Sequence, residues 1–354
     1  MQVIAVDPSR VRAAWQGRIC GCLLGKPVEV LSFQQGRTGL NAYLEKADAL
    51  PLRDYVPLVE GTIVDRLGRD SCQGQIVRAE PDDDINYTVL ALLLLEEKGI
   101  AFGTADVARA WLRLLPAGNT WTAERAAYRT LLCNMADGFV NGDEPGFDLA
   151  ECSDNDFNEW IGAQIRADLY GWVCPGRPAL AADLARRDAS LSHRGEGVHG
   201  AAFIAALSAA IPATKDLDEA LDVALQQIPD DSEAAAAVQL GRELAGRSDA
   251  VDRMHETYSE MSPVHTLNNL ALVVWALCSA KGDFGTAIGD AVAAGWDTDC
   301  NGATVGGLFG LTGSPIPDAW TRPWAGRIGL CLAGFTELQI DEVVDRTVAV
   351  ARSI

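Results

Sequence analysis

The chain has 354 residues, 49 of them acidic and 29 basic, for a formal net charge of −20. A chain this acidic has nothing to displace counterions from nucleic acid and is repelled by an anionic membrane surface, so neither is an expected partner. With 48% hydrophobic residues it can bury a large core and is not a disordered polymer. The start, Met1-Gln2-Val3-Ile4, lacks the zones of a signal peptide, and a cytoplasmic location is expected.

In chain order, the first segment carries Gly17, Gly21 and Gly25, spaced by four so that they share one helix face. Each glycine costs about 0.5–1 kcal/mol relative to alanine in a helix, so the pattern predicts close approach of a second helix. The stretch Gly21 to Pro27 is not a phosphate loop, because the spacing is wrong and no Ser or Thr follows Lys26. Gln34 to Pro81 is rich in Gly, Pro, Arg and Asp and reads as an irregular region with short helices or a cover over a site. Ile85, Val89, Leu92 and Leu93 define the next helical face, and Leu267, Ala271, Val274 and Cys278 a later one. Gly302, Gly306 and Gly310 repeat the glycine spacing near the C-terminus. Proline and glycine punctuate the helical segments, and no alternating strand pattern stands out. The expectation is an all-α fold, one multi-helix domain over residues 1–354. Nine cysteines, an odd count without a C-x-x-C pair, read as reduced thiols.

Two places collect carboxylates against their mutual repulsion. Asp82, Asp83 and Asp84 precede the Ile85 helix; Asp297 and Asp299 precede the second glycine segment. One aspartate suffices to cap a helix. Two helix starts loaded with short carboxylates read as halves of one hard-cation site, with Asp82, Asp83, Asp84, Asp297 and Asp299 as ligands of Mg²⁺ or Mn²⁺. Zinc is disfavoured for want of a local histidine or thiolate set; calcium is left open, although neither cluster has the spacing of an EF-hand loop.

These residues carry a family resemblance. Asp82-Asp83-Asp84-Ile85 resembles the Thr-Asp-Asp-Thr motif of the ADP-ribosylglycohydrolases, which include the dinitrogenase-reductase-activating glycohydrolases. Gly295-Trp296-Asp297-Thr298-Asp299-Cys300 is similar to their Gly-Gly-Asp-Thr-Asp-Thr, and Gly17 to Glu29 to their N-terminal glycine helix ending in Pro-x-Glu. Gly162 to Arg166 is similar to a Gly-Ala-x-Met-Arg segment, and Asn155 to Arg166 looks like a bacterial subgroup. The resemblance implies an all-α fold, two Mg²⁺ ions (Mn²⁺ in some members) and hydrolysis of an N- or O-glycosidic bond at the anomeric carbon of a ribosyl or ADP-ribosyl compound. It places Asp83, Asp84, Asp297 and Asp299 on ligand positions and Glu29 on a glutamate used for water activation or leaving-group protonation. Glu29, with Asp83 and Asp299 of the cage, is thus the catalytic candidate. Among the departures from the family pattern, Asp82 and Cys300 replace threonines, and Cys22 stands where aspartate is usual.

Candidates for contacting substrate are Gln164, Arg166, His193 and Trp296, with Asp168 in a polar lining or a surface ion pair. Trp121 and Trp160 are alternative stacking partners for a base, behind Trp296, which sits inside the metal motif. The expected partner is a small ribosyl or ADP-ribosyl molecule. A smaller nucleoside-like glycoside, a non-catalytic ligand-binding member of the fold and a phosphohydrolase are the rival readings. The last lacks the cluster of Arg or Lys that phosphoryl transfer needs.

Overall fold

The structure, a computed structural model, describes residues 3–354. Its first helix, Pro8–Gly25, begins where Asp7 accepts the Ser9 N–H at 2.8 Å and Pro8 fits the first turn. That helix lies antiparallel against Thr298–Leu311, glycine to glycine. A Cβ added at Gly17 would overlap the Gly306 carbonyl, one at Gly21 the Gly302 carbonyl, and one at Gly25 the Thr298–Asp299 peptide. At the far end, Gly310 lies equally close against the Ala13–Ala14 backbone. The two backbones touch over four successive turns, which only residues without side chains permit. The C-terminal end of one helix is thereby fixed against the N-terminal end of the other, and both continue into candidate site residues.

The third part of the site starts the helix Asp83–Lys98. Asp82 is its N-cap and accepts the Asp84 N–H at 3.1 Å. The approach to Asp82 is held by a short antiparallel hairpin, Arg327–Leu332 with Phe335–Gln339, in which Ile328 pairs with Leu338. Ala79 adds to it as a parallel bridge, donating to Arg327 O (2.9 Å) and accepting from Gly329 N (2.8 Å). The Cys331 N–H also donates to Asn86 Oδ1 at 2.9 Å. This hairpin is the exception to the all-α expectation; it is short, and its third partner comes from far away in the chain.

Gln34 to Pro81 is less irregular than its composition suggests. Glu29–Lys46 is helical with a break at Gly36 (φ 61°), followed by Ile63–Leu67 and loops. The helices pack around one continuous apolar core. Gly195–Ala213 is long and apolar enough to cross a bilayer, but 72% of it is buried among the other helices. The described cysteines are free thiols, most of them buried.

Candidate metal centre and cleft

Glu29, Asp82, Asp83, Asp297 and Asp299 line one cleft of about 650 Å³. Its floor is where the glycine helices end. The turn Lys26–Val28 carries Gly25 into Glu29, and the Thr298 hydroxyl donates to Gly25 O at 2.8 Å, tying the two halves together. Ligand atoms of Glu29, Asp297 and Asp299 lie within 4.8 Å of one another. So do those of Asp84, Asp299 and Cys300, and those of Cys22, Asp82 and Asp84. The aspartates of the two motifs, more than 200 residues apart, therefore converge, with Asp299 shared by two of these trios. Asp83 lines the cleft but belongs to none of them.

Individual groups are held by residues that the motifs do not include. Arg18, fully buried, pairs with Asp84 Oδ1 and Asp168 Oδ2, both at 2.9 Å, and donates to the carbonyls of Asp84 and Ile165. Lys26 Nζ contacts Asp82 Oδ2 at 2.5 Å and Pro81 O at 2.8 Å. Asn269 Oδ1 accepts from Asp297 N (3.3 Å) and Asn301 Nδ2 (2.7 Å), fixing the second motif from the Thr266–Ser279 helix.

The electrostatics are those of crowded carboxylates away from water. Burial, then the Asp299 carboxylate, pushes Glu29 well above the usual range. Burial also raises Asp83, Asp84 and Asp297, each further raised by neighbouring aspartates; in Asp84, Arg18 works against the rise. Asp299 is pushed up to about 6, by burial and then Asp82. Asp82 is the exception: against the cost of burial, the Lys26 ammonium holds its carboxyl below the usual range. Burial and the adjacent aspartates keep the thiols of Cys22 and Cys300 protonated. Within the cage, Asp84 Oδ2 and Asp297 Oδ1 are buried without a hydrogen-bond partner; outside it, Asp168 Oδ1 is in the same state. Divalent cations fit this donor set, since they would satisfy the two cage oxygens and offset the repulsion.

The substrate-contact candidates are placed differently from expectation. Gln164, Arg166, His193 and Asp168 are buried beneath the cleft, neither lining it nor at the surface. Arg166 pairs with Glu124 at 2.5 Å and with Asp188, and also donates to the Ser192 hydroxyl (2.9 Å). Gln164 faces Thr266 at 3.3 Å, and His193 Nδ1 meets the Ser192 hydroxyl at 2.8 Å. Trp296 has φ 58°, and its ring turns away onto His255, with centroids 4.1 Å apart, while its carbonyl accepts from Ser32 at 2.8 Å. Trp121 and Trp160 line the cleft instead, beside Phe33, Asn86 and Glu124. Glu124 is fixed by its buried partner Arg166, and Gly162 makes room for it, since a Cβ there would collide with its carboxylate.

A predominantly helical protein with a carboxylate cage at the floor of a cleft, able to hold a metal ion, is the class that fold and site define. The chain belongs to the ADP-ribosylglycohydrolase family, whose profile it matches over residues 5–352. A solved structure described as an ADP-ribosylglycohydrolase-related protein complex superposes with a TM-score of 0.61 over 98% of each chain, at 21% identity. That likeness is one of fold. No curated protein matches the chain in sequence.

Proposed function

We propose that the protein is a Mg²⁺-dependent glycohydrolase that cleaves the N- or O-glycosidic bond at the anomeric carbon of a ribosyl or ADP-ribosyl compound. Membership of the family supports a glycohydrolase. The observation that carries the metal reading is the pair of unpartnered buried oxygens, Asp84 Oδ2 and Asp297 Oδ1, amid converging carboxylates. Glu29, Asp297 and Asp299 would hold one ion and Asp84 with Asp299 a second; hard oxygen donors favour Mg²⁺, with Mn²⁺ accepted. The bound ions would supply Lewis acidity and fixed positive charge beside the sugar hydroxyls.

The chain's own groups divide the remaining work. Arg18 holds Asp84 by one oxygen and leaves the other free for a ligand. Asp83 faces the cleft outside the three trios and is the carboxylate best placed to take a proton from an attacking water. Glu29 moves from the acid–base role its motif implies towards the ligand set, because it lies with Asp297 and Asp299. The carboxylates around the anomeric carbon favour a positively charged oxocarbenium-like transition state. Product analysis on ribosyl compounds, with chelator and then added Mg²⁺, tests the reading. Ribose or a ribosyl product should form only with metal; full turnover in chelator, or release of phosphate instead, would remove it.

A further inference from the structure

One carboxylate of the cleft stands apart from the cage. Glu124 lines the cleft but belongs to none of the three ligand trios. Its position is set from below by the buried Arg166, which spends all its N–H groups. Nε donates to Asp188 Oδ1, and Nη1 to Glu124 Oε1 (2.5 Å) and Gly162 O (3.1 Å). Nη2 donates to the Asp188 carbonyl (3.3 Å) and the Ser192 hydroxyl (2.9 Å). The guanidinium also lies 5.2 Å from the Trp111 ring centroid and 5.9 Å from that of Tyr87, so it has no room to turn. Asp188 is closed at its second oxygen by the Tyr170 hydroxyl at 2.6 Å. One acceptor of this network is left open. Glu124 Oε2 accepts no hydrogen bond from the described residues and is not sealed in, so it is the oxygen on the cleft side.

A buried ion triad is a poor source of stability, since apolar residues of similar volume serve as well. What this one supplies is a fixed carboxylate oxygen in the cleft wall. Two tryptophans flank it. Trp121 immediately precedes the helix Thr122–Asn134, of which Glu124 is the third residue. Trp160 stands two residues before Gly162, where an added Cβ would lie 2.2 Å from Glu124 Oε1 and 2.6 Å from Oε2. Trp160 is braced edge-on against Phe157, centroids 4.7 Å apart, and Trp121 is exposed at the rim. Aromatic faces take a planar ring, and a carboxylate paired with a guanidinium accepts hydrogen bonds but donates none. Side by side, these groups match a ring whose edge carries an N–H. The sugar hydroxyls have their place beside the cage, whose ligand trios do not include Glu124.

We infer that Glu124 determines specificity: its free oxygen accepts a hydrogen bond from an amino group on the planar base of the substrate, while Trp121 and Trp160 take the faces of the ring. The inference rests on the ribosyl glycohydrolase reading and adds which edge of the base is read. The test uses the full metal-loaded chain and two matched pairs: adenosine with purine riboside, and ADP-ribose with its analogue carrying purine in place of adenine. Within each pair only the amino group differs. Calorimetry reads binding, and product analysis on ribosyl compounds reads cleavage. In at least one pair the amino-bearing member should bind about tenfold more tightly or better, the effect of one hydrogen bond to a charged group. Glu124→Gln keeps an oxygen for Arg166 and turns an amide NH₂ into the cleft, so the preference should shrink to about threefold or less. The ratio of two dissociation constants is independent of the fraction of chain that folds, so a destabilised variant still gives a reading. Equal binding within both pairs, no binding of any of the four, or an unchanged ratio in Glu124→Gln overturns the inference. Cleavage observed at the same time would leave the glycohydrolase reading standing. Preference for the amino group without cleavage of any ribosyl compound would remove that reading and keep the base contact.

Discussion

Replacing Gly21 by alanine tests the connection between fold and site most directly. Its Cβ would sit well under 3 Å from the Gly302 carbonyl, and the obstacle is backbone, which cannot rotate away. Relief requires the helices to separate by roughly 1 Å or more, and overpacking of this kind costs about 1–3 kcal/mol. Alanine recovers up to about 1 kcal/mol through helix propensity, so a net loss of about 1 kcal/mol is expected, a shift of roughly one or two degrees in Tm. Gly17→Ala and Gly25→Ala meet the same kind of obstacle. Their effects on the site should differ, because four residues of helix are about 6 Å of length and Gly17 stands about 12 Å from the cage end. Gly25 abuts the Thr298–Asp299 peptide itself. Thermal melts should therefore show all three variants destabilised, while calorimetric metal titration should show the affinity loss growing from Gly17 to Gly25. Gly118→Ala, with no atom within 4 Å of the added Cβ, is the control and should stay within about 0.5 kcal/mol of the parent. If Gly21→Ala melts like the parent, the backbone contact is not what sets the spacing. If metal affinity falls equally in all three, the site depends on global stability rather than on the helix ends.

Arg18→Met should lose about 3–5 kcal/mol of stability, because Asp84 and Asp168 would be left buried without their cation; denaturant unfolding reads the loss, and a change within about 1 kcal/mol would mean that the pairs contribute little. Asp299→Asn and Glu29→Gln should both shift the activity-against-metal curve to higher metal, whereas Asp83→Asn should lower its plateau about 10²-fold or more without shifting it; a shifted curve for Asp83→Asn would make it a ligand. The metal-free protein should lose stability as pH rises. Asp299 and Asp168 are held up to about 6 against a model value of 3.8, so between those values the folded state binds more protons than the unfolded one, and stability drops across that window. Asp82, lowered by Lys26, works the other way but is outnumbered. Melting in chelator should thus be higher near pH 5 than near pH 7.5, with Mg²⁺ removing the difference; a flat profile would show that the cage carboxylates do not carry the strain.

Much of this was legible in the sequence because the informative residues break local rules. Glycines in a helix and adjacent aspartates at a helix start each carry a local penalty, and a penalty repeated at fixed spacing points to a compensating tertiary contact. The groups that position the cage break no such rule. Arg18 and Lys26 sit in an ordinary helical segment, and what distinguishes them is a partner 66 or 56 residues away. Gln164, Arg166 and His193 show the converse error. A polar segment near a motif reads as lining, yet these side chains lie beneath the floor, where Arg166 pairs with Glu124 and Asp188, Gln164 meets Thr266 and His193 meets Ser192. Trp296 was misplaced through its backbone: a left-handed φ at a non-glycine residue cannot be read from composition, and it swings the ring onto His255. The hairpin escaped because its stabilising neighbour, Ala79, is about 250 positions away.

The glycine contact also has a consequence for the order in which the chain acquires structure. The surface that receives Gly21 is the carbonyl of Gly302, so this helix has its main partner about 280 residues further along the chain. Contacts at such separation form late, after most of the loop-closing entropy has been lost. During synthesis, which proceeds at about 5–20 residues per second, the Pro8–Gly25 segment must wait with its flat glycine face uncovered until Thr298–Leu311 has been made. A chain stopped before Thr298 would keep Asp82 to Asp84 but lack the surface that aligns them with Glu29. Amide exchange on such a truncated chain should find the first helix unprotected. Protection there would mean that the segment has another early partner.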